Sequence, residues 1–351
     1  MGTSENVKAG ITGATGFIGG KLAEKLADEG FSIKCLVRET SDTEKLRSLR
    51  AELVHGDLCD SSSLQAFPQE CDYVFHLASK VSDWGPRDDF FRQNVEATRI
   101  LLDSSREAGV KRFVYMSSST VIWNASFLGT VDLKDIDETY PYPKSHHNFY
   151  NETKALSEKL VREYNGRGGM ETVILRPSNV WGAGDTVILP RIADACLKGL
   201  LVNMGFNKKI VSPCHVLNLV HATVLSALSS AGAGNIYFVN DGARIDNRRF
   251  VSDQLASIGI EWKPGVTVPY TLGYAVAFVL EKIFELRRSE TPPVLTRFGV
   301  SALSKSRTYS IEKAKRDLEY EPVCGYETGM QGLAEWISEI GGYEKILGKG
   351  K

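Results

Sequence analysis

The stretch TGATGFIGG, residues 12–20, constrains this chain more than any other. It follows the apolar run VKAGIT. It opens a segment in which Ile18, Leu22 and Leu26 recur at i, i+4 and i+8 before Gly30, a spacing that predicts a helix. Gly13, Gly16 and Gly19 fall at G-x-x-G-x-x-G. Glycine there lets the backbone turn sharply and approach a pyrophosphate, whose charge then rests on the helix N-terminus. A strand, this turn and a helix in succession predict a dinucleotide site.

The rest of the first half repeats that rhythm. FSIKCLV, AELVHG, DYVFHLA, RFVYMSS and TVILRPS read as short strands separated by amphipathic stretches. A further strand, GNIYFVNDG, follows the helical pattern NLVHATVLSALSSAG. The expected fold is therefore α/β, a Rossmann-type doubly wound parallel sheet with a smaller C-terminal substrate lobe. Residues 1–181 and 212–242 are assigned to the dinucleotide-binding domain, and 182–211 and 243–351 to the lobe.

Which dinucleotide binds depends on the end of the second strand. A carboxylate there would hold ribose hydroxyls and repel a 2′-phosphate. This strand ends Val37-Arg38, and a guanidinium suits a phosphate. Glu39 offers the competing reading by turning inward. NADP(H) is favoured, with NAD(H) the alternative. Asp57 and Leu58 follow the third strand, where the adenine edge would lie.

A formal net charge of -1 gives no electrostatic basis for a nucleic-acid partner. The six cysteines show no Cys-x-x-Cys or Cys/His spacing, so a reducing, cytoplasmic setting is expected and no metal site is assigned. The adjacent His146 and His147 lack a spaced carboxylate or thiol ligand. MGTSENVKAG has no apolar signal core.

The motifs, taken in order, resemble the extended short-chain dehydrogenase/reductase family across nearly the whole chain. TGATGFIG matches its phosphate turn, GDLCD its adenine contact and HLAS its fourth-strand motif. YMSSSTV matches its active-serine strand, YNETK its Tyr-x-x-x-Lys and LRPSNVWG the stretch after strand six. The resemblance implies that Gly13, Thr15, Gly16, Phe17 and Ile18 surround the pyrophosphate, with Ala78 beside them. It also implies that Pro177 to Val180 line the nicotinamide carboxamide, and that Tyr150 and Lys154 hold the nicotinamide ribose.

Tyr-x-x-x-Lys occurs three times. Tyr140…Lys144 encloses Pro141 and Pro143 and cannot be helical. Tyr309…Lys313 belongs to the C-terminal lobe. Tyr150…Lys154 opens a helix whose Leu156, Leu160 and Tyr164 recur at i, i+4 and i+8. Shifting a phenol from ~10 to neutrality takes ~4 kcal/mol, which an ammonium at ~4 Å supplies at an effective dielectric of 20. Lys154 would thus make Tyr150 a workable acid/base. The family register selects Ser118 to orient the substrate oxygen, with Ser119 the alternative. His76, Trp84 and Asn94 read as packing or capping residues.

The segment NKKIVSPCHVLNLVHA lacks the arginine that nucleotide-sugar enzymes of the family use. It and the tail resemble the 3β-hydroxysteroid and sterol-4-carboxylate dehydrogenase branch. Gly265 to Leu280 carries no charge yet falls short of the ~20 apolar residues of a bilayer span. It is expected as a core helix or a lid, or as a peripheral membrane contact over residues 265–288. The resulting expectation is an NAD(P)-dependent oxidoreductase interconverting a secondary alcohol and a ketone on a steroid-like or other hydrophobic molecule. A nucleotide-sugar epimerase or dehydratase, aided by Lys208 and Lys209, and a non-catalytic NADP(H) sensor are the alternatives. By family analogy, a homodimer would form through the helices around residues 94–108 and 150–164.

Overall fold

A computed structural model describes residues 7–124, 131–146, 148–263 and 265–347; His147 lies outside them. Seven parallel strands form the main sheet: β1 (Lys8–Thr12), β2 (Ser32–Val37), β3 (Glu52–His55), β4 (Tyr73–His76), β5 (Arg112–Met116), β6 (Glu171–Pro177) and β7 (Ile236–Val239). Their spatial order is β7-β6-β5-β4-β1-β2-β3. From β1 the chain moves to β2 and β3, then crosses back to β4. The register Thr12↔His76 therefore opens a crevice beyond the ends of β1 and β4, the switch point where such sheets bind ligands.

Helices cover both faces. α1 (Phe17–Asp28) and α4 (Val216–Leu228) bury Leu22, Leu26, Leu219 and Val220 against one face. α2 (Ala97–Glu107) and α3 (Phe149–Tyr164) bury Leu101, Leu102 and Val161 against the other. The strands are sealed on both sides and read as continuous apolar runs for that reason.

A second, four-stranded sheet runs Ile245–Asp246, Ile210–Val211, Arg307–Tyr309, Leu133–Ile136. Two segments cross the expected boundary at residue 181 and beyond 243. Leu133–Ile136 pairs with Arg307–Tyr309 in the small sheet. Ala314 and Leu318, of the helix Glu312–Leu318, pack into the core of the main one. Strand pairing places them there, and no local pattern encodes it. The uncharged segment after Gly265 becomes α5 (Tyr270–Leu286), which buries Gly273, Tyr274 and Ala277 while Leu272, Val276 and Val279 face outward. Among the described residues no helix is long and apolar enough to cross a membrane.

Candidate active site

The crevice begins at Gly13, whose φ of +79° is left-handed. A Cβ there would lie 2.9 Å from the Ala78 backbone nitrogen, and one at Gly19 would lie 2.1 Å from the Gly13 carbonyl. Both positions therefore exclude every side chain. Gly16 caps α1 without a side-chain hydrogen bond, and no acidic residue occupies the first turn. The helix N–H groups are free for an anion, and Thr15 stands exposed beside them. A dinucleotide pyrophosphate fits this cradle.

Around it, Arg38 follows β2 exposed, with no ion pair among the described residues. Glu39 instead approaches His55, at 3.2 Å. The Asp57 carboxylate accepts from the Cys59 N–H at 2.8 Å, fixing the turn after β3, and Leu58 packs against the α2 side of the core. Pro177 closes β6, and Val180 pairs with Cys214 in a short parallel ladder.

His76 is structural, as its apolar strand suggested. Its Nε2 lies 3.0 Å from the Thr98 hydroxyl, which itself donates to the Asn94 carbonyl at 2.6 Å. Nε2 therefore carries the proton, and Nδ1 accepts from the Thr12 hydroxyl at 2.8 Å. Burial, then the nearby Lys154, pushes its pKa down to about 3. The ring stays neutral.

The serine run leaves the end of β5. Ser118 caps the 3-10 turn Ser119–Ile122, its hydroxyl accepting from the Thr120 N–H at 3.2 Å. Burial pushes the Tyr150 phenol up to about 12, an effect that the adjacent Ser118 hydroxyl partly offsets. Ser117 points into the interior and Ser119 toward Tyr309, so Ser118 is the serine the fold brings to Tyr150.

α3 presents Tyr150, Lys154 and Glu158 at successive turns. Asn148 caps the helix by accepting from the Asn151 N–H at 2.9 Å. The expected apolar stripe differs here. Leu156 and Leu160 are half-exposed, while Lys154, Ser157 and Glu158 are buried alongside Val161 and Tyr164. The helix is wedged between the sheet and the π-turn Phe91–Glu96, so its inner face is a hydrogen-bonded polar seam. Lys154 Nζ donates to the Met116 carbonyl at 2.7 Å and lies 4.8 Å from the Tyr115 ring centroid. Burial pulls its pKa down to about 7, opposed by Glu158.

The model of the 3-beta hydroxysteroid dehydrogenase/isomerase family matches residues 10–269, spanning the cradle, the serine run and the Tyr-x-x-x-Lys helix. The chain belongs to this family. It is an NAD(P)-dependent oxidoreductase of the extended short-chain dehydrogenase/reductase class. A 2-alkyl-3-oxoalkanoate reductase of Shewanella oneidensis is 32% identical over 336 residues, covering 92% of this chain and 84% of that protein. A 3 beta-hydroxysteroid dehydrogenase/Delta 5→4-isomerase of Mycobacterium tuberculosis is 32% identical over 349 residues, covering 95% and 90%. The fold is shared with a dTDP-glucose 4,6-dehydratase of Streptomyces venezuelae, crystallised with NAD, at a TM-score of 0.73 and 22% identity over 94% of this chain and 97% of that one.

In this 3-beta hydroxysteroid dehydrogenase family member, three supporting groups escape a reading of spacing alone. Asn94 sits inside the π-turn and does not start a helix. Its side chain bonds the Lys80 N–H at 2.7 Å and the Thr153 hydroxyl at 3.0 Å, tying the loop after β4 to α3. Glu158 is fully buried, clamped by Arg176 (2.7 Å from Nη2) and by the Tyr142 hydroxyl at 2.6 Å. Tyr309 does lie in the lobe's sheet, yet it reaches the serine segment. Its hydroxyl accepts from the Trp123 indole at 2.8 Å, and its ring stacks on Phe238. Lys313 points elsewhere, to the Ile236 carbonyl, so the third Tyr-x-x-x-Lys forms no pair.

Proposed function

We propose that this oxidoreductase interconverts a ketone and a secondary alcohol on a hydrophobic substrate, with NADP(H) as the preferred cofactor. The observation that carries the reading is the juxtaposition of Ser118 and Tyr150, with Lys154 anchored to the Met116 carbonyl just before the serine run. Gly13, Thr15, Gly16, Phe17, Ile18 and Ala78 would hold the pyrophosphate, and Arg38 the 2′-phosphate. The bound nicotinamide would supply or accept the hydride. Ser118 would donate to the substrate oxygen and Tyr150 would exchange its proton.

With its pKa near 12, the phenol is protonated at neutral pH, which favours proton donation and thus ketone reduction. The simple picture of a lysine charge ionising the tyrosine has no support in the protein alone, because burial dominates the phenol and Lys154 directs one of its three N–H donors to the Met116 carbonyl. A hydrophobic substrate accords with the activities that name the two relatives, on a steroid and on an alkyl-oxoalkanoate.

The outer face of α5 supports delivery of such a substrate from a lipid surface. Leu272, Val276, Val279, Ile283 and Leu286 recur at steps of four and three, all exposed, with Leu286 at 85%. Lys282 is ion-paired with Glu285 at 2.6 Å and Glu281 turns inward to Arg297, so the exposed Arg287 and Arg288 at the helix end supply the flanking charge. The flanking charge is basic and complements anionic headgroups.

The decisive experiment incubates purified protein and either reduced cofactor with steroid ketones, long-chain aliphatic ketones and nucleotide sugars. Oxidation of NADPH by an apolar ketone is expected. Turnover confined to a nucleotide sugar, with tightly retained cofactor, would reverse the conclusion in favour of an epimerase or dehydratase.

A further inference from the structure

Beyond the serine run the small sheet carries an unbalanced group of cations. The parallel pair Val211↔Arg307 joins the two short strands, Lys209 and Lys305 lie just before them in the chain, and the charges of Lys209 and Arg307 both bear on the Lys305 ammonium. Lys209, Lys305 and Arg307 make no ion pair with any carboxylate among the described residues. The nearest acid, Asp132, is already engaged by the Ser306 N–H at 2.8 Å.

Arg307 is only 4% exposed. Its Nη1 donates to the carbonyls of Val131 and Ser306, and its Nη2 reaches the Ser301 hydroxyl at 3.3 Å. Its Nε is buried with no hydrogen-bond partner among the described residues. An interior guanidinium without a counter-ion and with one donor idle is costly unless an anion completes it.

The walls are aromatic. The Arg307 guanidinium lies 4.7 Å from the Trp123 ring centroid, and the Lys305 ammonium 4.5 Å from that of Tyr270. Trp123 in turn stacks on Phe298. Trp123 also ends the 3-10 turn that Ser118 begins, and it packs in one apolar cluster with Ala155, the residue after Lys154. The cations thus adjoin the place where the substrate oxygen would sit.

We infer that Lys209, Lys305 and Arg307 form an anion subsite that receives a carboxylate carried by the hydrophobic substrate. This rests on the ketone/alcohol reading above and narrows it to amphiphilic oxo-acids. Apolar atoms would lie against Trp123 and Tyr270, and the carboxylate would take the idle Arg307 Nε together with one or both lysines.

The test compares a series of oxo-fatty acids, differing in the distance from ketone to carboxylate, with their methyl esters. NADPH oxidation is followed in the parent protein, Lys305→Met and Lys209→Met. For at least one spacing the parent should favour the acid over its ester by about tenfold in kcat/KM, the scale of a charged hydrogen bond. Each variant should lose about that factor for the acid through KM, with the ester unchanged. Equal rates for acid and ester at every spacing, or parallel losses on both in the variants, would overturn the subsite. Tryptophan fluorescence titrated with decanoate and decanol gives a readout free of turnover. Decanoate binding lost in Lys305→Met sustains the subsite even if no ketone is reduced, in which case the ketone/alcohol reading alone fails. Lysine-dependent binding of UDP-glucose without binding of decanoate would reassign the cations to a diphosphate.

Discussion

The ammonium of Lys154 donates a 2.7 Å hydrogen bond to the carbonyl of Met116, the last residue of β5. The contact fastens α3 to the strand that leads into Ser118, and it holds a buried cation whose pKa burial lowers to about 7. An unfolded lysine titrates near ~10.4. Between those values the unfolded chain binds the extra proton, so the lysine's burden on stability is complete below about pH 7 and lifts as pH rises toward ~10. Lys154→Met should therefore be more stable than the parent at about pH 6, by roughly 2 kcal/mol, with the gap closing near pH ~9.5. Urea denaturation of both proteins across that range measures it. A constant gap would show that burial does not lower the lysine's pKa.

Tyr150→Phe removes one hydroxyl and leaves the ring in place. Turnover should fall about a hundredfold to ten-thousandfold, the usual share of a general acid. NADPH affinity, read by fluorescence, should stay within about twofold, since one hydroxyl to the ribose contributes little net binding energy. Unchanged turnover would remove Tyr150 from the chemistry.

Among the described residues Arg38 has no carboxylate partner, whereas Glu39 is beside His55. Exchanging Arg38 for Asp should lower kcat/KM with NADPH by about tenfold or more and raise the NADH:NADPH ratio, because a charge-assisted phosphate contact becomes a repulsion. If the ratio does not move, the phosphate is read elsewhere.

Val279 lies at the centre of the exposed stripe on α5. Sedimentation with vesicles containing anionic lipid should recover the parent protein, more weakly at raised salt. Val279→Glu should abolish that recovery while leaving turnover of a dispersed ketone intact. Equal recovery with neutral and anionic vesicles would exclude the basic flank as the headgroup contact.

Features that depend on neighbours in the chain are legible from the residues alone. The glycine spacing forces the turn at Gly13 through its left-handed backbone, and the one-turn periodicity from Tyr150 onward specifies a helix. The strands' apolar runs specify a sheet buried on both faces. The inner face of α3 does not follow its leucines, because a polar seam looks like a solvent face until Asn94 and Arg176 are brought against it.

What the linear order determined is the dinucleotide cradle, the parallel sheet and the helix that carries Tyr150 and Lys154. These rest on backbone angles and on one-turn periodicities that operate within about ten residues. Tertiary structure alone decided that Ser118 rather than its neighbours meets Tyr150, and that Glu158 finds Arg176 across the sheet. It also set Trp123, Tyr309 and Arg307 around one corner of the crevice. Those contacts join residues far apart in the chain, and strand register, which sets which of them face one another, is a property of the assembled sheets.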